Sequence, residues 1–445
     1  MKKLMYLLLT ILLATALVAC GNANDVDRED DTTDKSETAV DTGDSDLEGV
    51  EISILLTKPE ITQQFEETAA TFTEETGVKI DVIPLGGQVV MERMTTLYSS
   101  GNAPTITLAN MEIEAFKDSL LDLADEPWAD TIDDQYFQLV NYDGVILGQP
   151  LTVEAFGFIY NKEVLDEATG GFDPSTIRTH DDLRAVFEQV DALDGVDALT
   201  VSPVDWSLGA HLTNPLFAAQ SPEFEERQQF MQDAIDGKVT FIEDEIFNGW
   251  VDTIDLMKEF NKHKNAPLAP AYEDAPLELA TGQVGFWFMG NWAYPQLQEV
   301  NPDGEFGFIP VVLSNNEEDY GNSQISIGAP SYWVIDADQS TKEEQEAAKL
   351  FLNWLVSSES GKDHYVNTLN LIPVSSNFDT APNDPLSQDI AKYMEAGNAL
   401  DFSVSYYPTD AMNVMGASLQ KYLADEIDRE GLANEFDAYW SSVDQ

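Results

Sequence analysis

Between Ile52 and Leu108 the chain switches repeatedly between two hydrophobic periods, and this constrains its fold more than any other feature. Ile52, Ile54 and Leu56 alternate with polar neighbours, the pattern of a half-buried strand; Ile61, Phe65, Ala69 and Phe72 then recur at helical spacing up to Gly77. Val78, Ile80 and Val82 return to alternation. Val90, Met94 and Leu97 mark a second helix ending near Gly101, and Pro104 precedes a strand through Ile106 and Leu108. Parallel strands need a crossover, which helices of ten to fifteen residues supply, so this region is expected to form a parallel sheet with helices on both faces. The class is α/β.

A second unit follows the same layer logic. Phe156–Tyr160 reads as a short apolar strand, with helical patterns at Leu183–Val190 and Phe247–Phe260. Gly285-Phe286-Trp287-Phe288-Met289, between Gly282 and Gly290, is wholly apolar, as expected of a strand buried on both faces. Glu343–Leu355 places Ala347, Ala348, Phe351, Trp354 and Leu355 on one helical face and stops near Gly361. No internal repeat is evident. Ligands of open α/β sheets bind outside the carboxyl ends of the strands, so two such units facing each other define one cleft.

The N-terminal segment predicts export. Lys2 and Lys3 precede an apolar run from Leu4 to Val18, too short to span a bilayer comfortably, and Leu17-Val18-Ala19-Cys20 reads as a lipoprotein cleavage site. Cys20 is the sole cysteine, so it forms no internal disulfide, and its place after the apolar run marks it for lipid attachment; an ordinary signal with a chance cysteine is the alternative. Residues 1–20 are therefore read as a lipoprotein signal peptide. Residues 21–50, almost wholly acidic or small and polar, are read as a flexible tether. The net charge of −59, from 81 acidic against 22 basic residues, repels nucleic acid and anionic lipid headgroups, leaving neutral or cationic ligands. The acid excess is spread along the chain, as on a solvated surface.

Three stretches carry a resemblance. Val153-Glu154-Ala155-Phe156-Gly157-Phe158-Ile159-Tyr160-Asn161-Lys162 resembles the hinge segment of bacterial family 1 extracellular solute-binding proteins, the maltose-binding-protein-like sugar receptors of ABC transporters. Ala280–Gly285 leading through Met289-Gly290-Asn291-Trp292-Ala293, and Ala347–Leu355 followed by Ser358-Glu359-Ser360-Gly361, agree with it. With the lipoprotein signal and the tether, the resemblance spans essentially the whole chain. It implies a two-lobe periplasmic-binding-protein-like fold of type II, each lobe a sheet flanked by helices, joined by a hinge of three chain crossings. On this sequence the crossings fall near Thr152–Phe156, Ser314–Ser326 and Ile372–Ser376. The N-terminal lobe then combines residues 51–153 with 320–372, and the C-terminal lobe 154–315 with 376–445.

Sugars present apolar C–H faces and many hydroxyls, so a sugar site needs flat aromatic platforms beside carboxylates and amides. Trp292 follows the apolar strand after Gly290 and Asn291, where a turn exposes it at the strand's end; the resemblance implies that it stacks on sugar, against the alternative of a core tryptophan. Glu154 lies between apolar neighbours, a costly place for a carboxylate unless paired or facing the cleft, and the family's glutamate there reaches the ligand; a structural ion pair is the alternative. Trp206, in an apparent loop after Pro203, is a second platform or a core residue. From the first lobe come Lys58 with Glu60, the Gly86-Gly87-Gln88 turn, Asn110, which otherwise caps the next helix, and Glu112. Maltose-binding members carry a tryptophan and an aspartate near Asn110, where Leu108–Glu112 has neither, so maltose itself is disfavoured. Tyr332 and Trp333 read as packing. Tyr406, Tyr407 and Asn413 are placed on a cleft wall by family topology alone.

The expected function is the extracellular substrate-binding component of an ABC importer. It holds an oligosaccharide by stacking and hydrogen bonds, acts as a monomer with separate permease subunits, and sits on the outer face of the membrane through Cys20. No cofactor or metal is expected. A receptor for a cationic solute such as a polyamine is the nearest alternative, since carboxylates and aromatic rings also suit ammonium groups. A glycoside-active enzyme is more remote: no pair of carboxylates is marked out, and His180, His211, His263 and His364 match no metal or triad spacing, as is usual for structural histidines. An adhesion or sensor protein would need an exposed apolar patch that a sequence does not reveal.

Overall fold

The computed structural model describes residues 47–86 and 88–443. The signal peptide, Cys20, most of the tether, and Gly87 lie outside the described residues. No helix among the described residues is long and apolar enough to cross a membrane.

The first sheet starts with β1 (Glu51–Leu56), β2 (Lys79–Pro84) and β3 (Ile106–Ala109), parallel to one another with β1 central. The chain passes through β4 (Gln149–Pro150) and enters the second sheet with β5 (Glu154–Asn161), followed by β6 (Asp197–Thr200), β7 (Val284–Gly290), β8 (Phe306–Ile309) and β9 (Ile325–Gly328). It returns to the first sheet as β10 (Tyr332–Ile335) and ends the second with β11 (Ala399–Leu400). The first sheet runs β2-β1-β3-β10-β4 and the second β11-β9-β5-β7-β6, with β8 also paired to β5.

The parallel arrangement expected for Ile52–Leu108 holds in β1–β3, but as a whole neither sheet is purely parallel. β10 runs antiparallel to β3, and β5 runs antiparallel to β7, β8 and β9. The cause is the crossings. β1, β3 and β7 carry their carboxyl ends to the space between the lobes, whereas β5 and β10 start there, directly after the chain has changed lobe.

The burial of β5 and β7 follows from their sequences. All residues of both strands are buried, and alternate side chains serve different cores. Phe156, Phe158, Phe286 and Phe288 join one cluster with the helices Glu245–Phe260 and Arg429–Trp440. Ala155, Ile159, Trp287 and Met289 join another with Leu279, Ile390 and Ile372. In the first lobe, Phe65 and Phe72 of the helix Thr62–Thr76 meet Phe351 and Trp354 of the helix Lys342–Ser357, with ring centroids 5.1–5.9 Å apart. Thr341 and Glu344 close a reciprocal capping box on the second of these helices. Trp333 is fully buried against Phe65, and Tyr332 is buried as well, so both are packing residues.

Three short segments lie side by side between the lobes. Leu151 donates its N–H to Ser331 O at 2.8 Å, and Val153 donates to Ile372 O at 3.0 Å. Strand pairing moves the second of these from its expected place. β9, which the sequence reading split between the crossing at 314–326 and a first-lobe segment starting at 320, pairs with Glu154–Phe156 in the second sheet. Its Ile325 and Ile327 fill the cluster around Trp287, so the change of sheet falls at Ala329–Ser331. The third segment also extends further than expected, because Ser376 N–H still donates to Thr131 O at 2.7 Å in the first lobe.

Truncating Phe158, fully buried between Phe187 and Phe288, removes a ring from the core of the second lobe. Phe158→Ala is expected to lower stability by about 3–5 kcal/mol in urea unfolding; a loss below about 1 kcal/mol would show that this core does not carry the lobe.

Candidate functional site

A cavity of about 750 Å³ opens between the lobes. Its first-lobe wall is polar. β1 ends at Leu56, and the turn that follows points Thr57, Lys58 and Glu60 into the cavity, with Asn110 from the end of β3 beside them. Its second-lobe wall is built from rings: Trp206, His211, Tyr272 and Trp292.

Glu154, at the head of β5, joins the two walls. Lys58 Nζ lies 2.6 Å from Glu154 Oε1 and 3.1 Å from Glu60 Oε1. Burial works against the Lys58 ammonium, yet Glu154 and then Glu60 more than offset it and hold the group above the ordinary lysine range. Lys58 is therefore a permanent cation clamped by two anions. Glu154 forms the ion pair that was one of its two readings, and it also lines the cavity. Asn291 does not line the cavity. Its Oδ1 accepts the Ala155 N–H at 2.9 Å, fixing the end of β7 to the residue after Glu154.

The ring wall forms a connected array. Trp206 stands 5.5 Å from Tyr272 and 6.5 Å from Trp292, and Trp292 contacts His211 at 4.8 Å and Phe156 at 6.3 Å. The Trp292 ring folds back over Gly290, where any Cβ would collide with it, so that glycine is needed to seat the ring. Trp206 lies in a helical turn rather than the expected loop: Asp205 and Trp206 lead directly into the π-helical segment Ser207–Leu212, which brings His211 beneath Trp206 and Trp292. Tyr272 donates its hydroxyl hydrogen bond to Gln296 Oε1 at 3.1 Å, and burial, with Glu60 and Glu273 near, pushes its phenol up to about 12.

His211 stacks flat on Phe156 at 4.6 Å and 25°. Burial, reinforced by the Lys58 charge, pushes its imidazole down to about 3, so it is neutral at ordinary pH.

Two other expected site residues stand elsewhere. Glu112 does not line the cavity; its Oε2 accepts the Asn110 N–H at 3.0 Å and so shapes the loop. Asn110 does not cap the helix Glu112–Phe116 through its side chain, and its Oδ1 is buried without a hydrogen-bond partner. Asn413 is exposed near the start of the helix Ala411–Leu423, away from the cavity, because Ala411 and Met415 take the inward face of that helix. Tyr407 is buried in the core, while Tyr406 lines a separate crevice of about 430 Å³ with Tyr136 and Tyr320. Sequence reasoning missed His211, Tyr272, Gln296 and Glu299. The last two come from the helix Tyr294–Val300, directly after Trp292, and that proximity was the only local signal for any of them. No cluster of His, Cys, Asp or Glu among the described residues is arranged to hold a metal ion.

The sequence model of the bacterial extracellular solute-binding protein family matches residues 67–398. Among solved structures of similar fold is the solute-binding protein RafE of Streptococcus pneumoniae, whose complex with raffinose is 20% identical with a TM-score of 0.73, covering 88% of this chain and 99% of that one. A family 1 extracellular solute-binding protein from Bifidobacterium longum subsp. infantis is 22% identical, with a TM-score of 0.65 and coverage of 89% and 100%. A sugar transporter protein of Bacillus licheniformis in complex with stachyose is 18% identical, with a TM-score of 0.67 and coverage of 88% and 99%. At these identities the likeness concerns the fold. No curated protein matches the chain.

Two expectations test this geometry. Lys58→Met and Glu154→Gln should each cost about 1–3 kcal/mol, because each leaves a shielded charge or donor without its partner, and the double variant should cost clearly less than their sum; strict additivity in urea unfolding would show that the pair is not coupled. His211 gives a pH signature. The unfolded imidazole takes up a proton near its ordinary value of about 6.5 but the folded one only near 3, so between these the unfolded state binds more protons and stability falls as pH drops. His211→Phe removes that loss, and its melting temperature should gain on wild type between pH 7 and pH 4; a constant difference would place the imidazole in an ordinary solvated setting.

Proposed function

The chain belongs to the bacterial extracellular solute-binding proteins, and on that premise we propose that it captures a carbohydrate, an oligosaccharide of a few units, between its lobes and delivers it to an ABC importer. It is a binding protein, not an enzyme. The observation that carries the carbohydrate reading is the pairing of walls in one cavity: the rings of Trp206, Tyr272 and Trp292 face the polar set of Lys58, Glu60, Asn110 and Glu154. Flat rings suit the C–H faces of a pyranose, and the polar set suits its hydroxyls. The raffinose and stachyose bound by relatives of the same fold support the assignment.

A cationic solute such as a polyamine is the second reading, favoured by three carboxylates, Glu60, Glu154 and Glu299, around the cavity. Lys58 weighs against it. A clamped ammonium in the middle of the first-lobe wall repels an ammonium ligand, and its two anions are already engaged. The same ion pairing weighs against acidic sugars, which would meet more carboxylates than cations.

In this reading the lobes rotate about Leu151–Val153, Ala329–Ser331 and the segment after Ile372, and the ligand favours closure by touching both walls. Cys20 carries the lipid that holds the protein to the outer face of the membrane, as the apolar run before it suggests. The permease and ATPase are separate chains.

The test is thermal unfolding of the protein from residue 21 onward with raffinose, stachyose, maltose, chitotriose or spermidine. A ligand at a hundred times its dissociation constant stabilises by about 2.7 kcal/mol. A shift with one sugar is expected; a shift with spermidine alone would overturn the carbohydrate reading. Trp292→Ala should weaken binding of that sugar thirty-fold or more, about 2 kcal/mol, while the variant still unfolds cooperatively. Unchanged affinity would remove Trp292 from the site.

A further inference from the structure

Three of the four histidines have protein partners. His180 Nε2 lies 3.0 Å from Gly249 O, His263 Nε2 2.9 Å from Glu278 Oε1, and His364 Nδ1 3.2 Å from Thr68 Oγ1. His211 differs. Its Nδ1 is buried with no hydrogen-bond partner among the described residues, and the ring makes its contacts through its faces and edges. Phe156 is stacked between it and Phe402, with centroids 4.6 and 4.9 Å away at 25° and 24°.

The backbone beneath the ring is equally constrained. A Cβ on Gly209 would fall on the backbone of Met412 and Gly416, so the helical turn carrying His211 is packed directly against the helix Ala411–Leu423. The imidazole is thus held in a fixed orientation by packing alone, in a cavity wall, with Lys58 near enough to disfavour its protonation. This neutral ring spends no nitrogen on the protein, in a wall otherwise made of indole and phenol, so its Nε2 is free for a partner from outside the protein. Across the cavity, Asn110 Oδ1 is likewise buried and unpartnered.

We propose that His211 is a specificity-determining residue of this cavity, using Nε2 to hydrogen-bond a hydroxyl of the carbohydrate ring stacked on Trp292. The inference rests on the carbohydrate reading above. With Nδ1 sealed in, Nε2 is the nitrogen left to meet a ligand. A site whose buried polar groups are completed only by the right hydroxyl rejects analogues that lack it far more strongly than apolar contacts do.

The experiment is calorimetric titration of wild type, His211→Phe and His211→Gln with raffinose, stachyose, maltose and chitotriose. Phenylalanine keeps the stack on Phe156 and removes both nitrogens; glutamine restores a polar group near the Nε2 position. For the sugar that wild type binds, the Phe variant should bind roughly ten-fold more weakly, and the Gln variant should recover to within about three-fold of wild type. Affinity of the Phe variant within two-fold of wild type overturns the proposal, and so does a Gln variant as weak as the Phe one, which assigns His211 to packing. Should the Phe variant not fold, His211→Asn, whose amide stops short of Nε2, takes its place with the same expectations. Wild type binding none of the four sugars is a different failure: it removes the carbohydrate reading, and the role of His211 with it.

Discussion

A carboxylate at the head of a fully buried strand has to be answered by a cation, and the answer to Glu154 comes from the other lobe. Lys58 Nζ, 2.6 Å away, extends from the turn after β1. Either charge alone in this shielded position would be costly. Together they set where the end of the first sheet meets the start of the second strand system, and so they set the floor of the cavity. Asn291 extends the constraint by tying the end of β7 to the residue next to Glu154, which fixes Trp292 relative to the ion pair. The polar and aromatic halves of the site are thus referred to one point in the fold.

Local periodicity is a good guide to this chain wherever an element buries its own pattern. The wholly apolar run at Phe286–Met289 is a strand with both faces in separate cores, and Phe247–Phe260 lies within a helix running from Glu245 to Phe260. Glu154 stands out in the sequence for the same reason, as a charge among apolar neighbours. Strand direction is not legible in this way. β5 and β10 run against their neighbours because the chain has just crossed between lobes, a fact about where the chain comes from rather than about the residues in the strand.

The site shows the same division. Trp292 is legible because a glycine and a turn follow a buried strand, but His211 is not. Its isolation from hydrogen bonds is made by Phe156, Trp292 and the packing of Gly209 on Gly416, all remote in sequence. Tyr272 joins the ring wall only because Trp206 and Trp287 stand beside it. Asn413 fails in the opposite sense: its neighbours Ala411 and Met415 take the buried face of the helix, leaving it outside. The boundary near residue 320 fails because Ile325 and Ile327 serve the second lobe's core, which no local pattern announces.

The two walls are unequal in how far they are organised before a ligand arrives. The ring wall is locked: Trp292 lies over Gly290, His211 lies on Phe156, and Tyr272 is held by Gln296. Stacking against it requires little reordering. The first-lobe wall consists of side chains on turns after β1 and β3, with Asn110 Oδ1 unpartnered and Glu60 partly open to solvent. On the proposed reading, a sugar ring settling on Trp292 would meet a finished surface first, and the polar groups of the first lobe would reach its hydroxyls as the lobes approach. On that reading, closure would be favoured to the extent that the ligand bonds to polar groups of both walls. On the proposed carbohydrate reading, the polar groups lining this cavity, more than its area of aromatic surface, would decide which sugar is held.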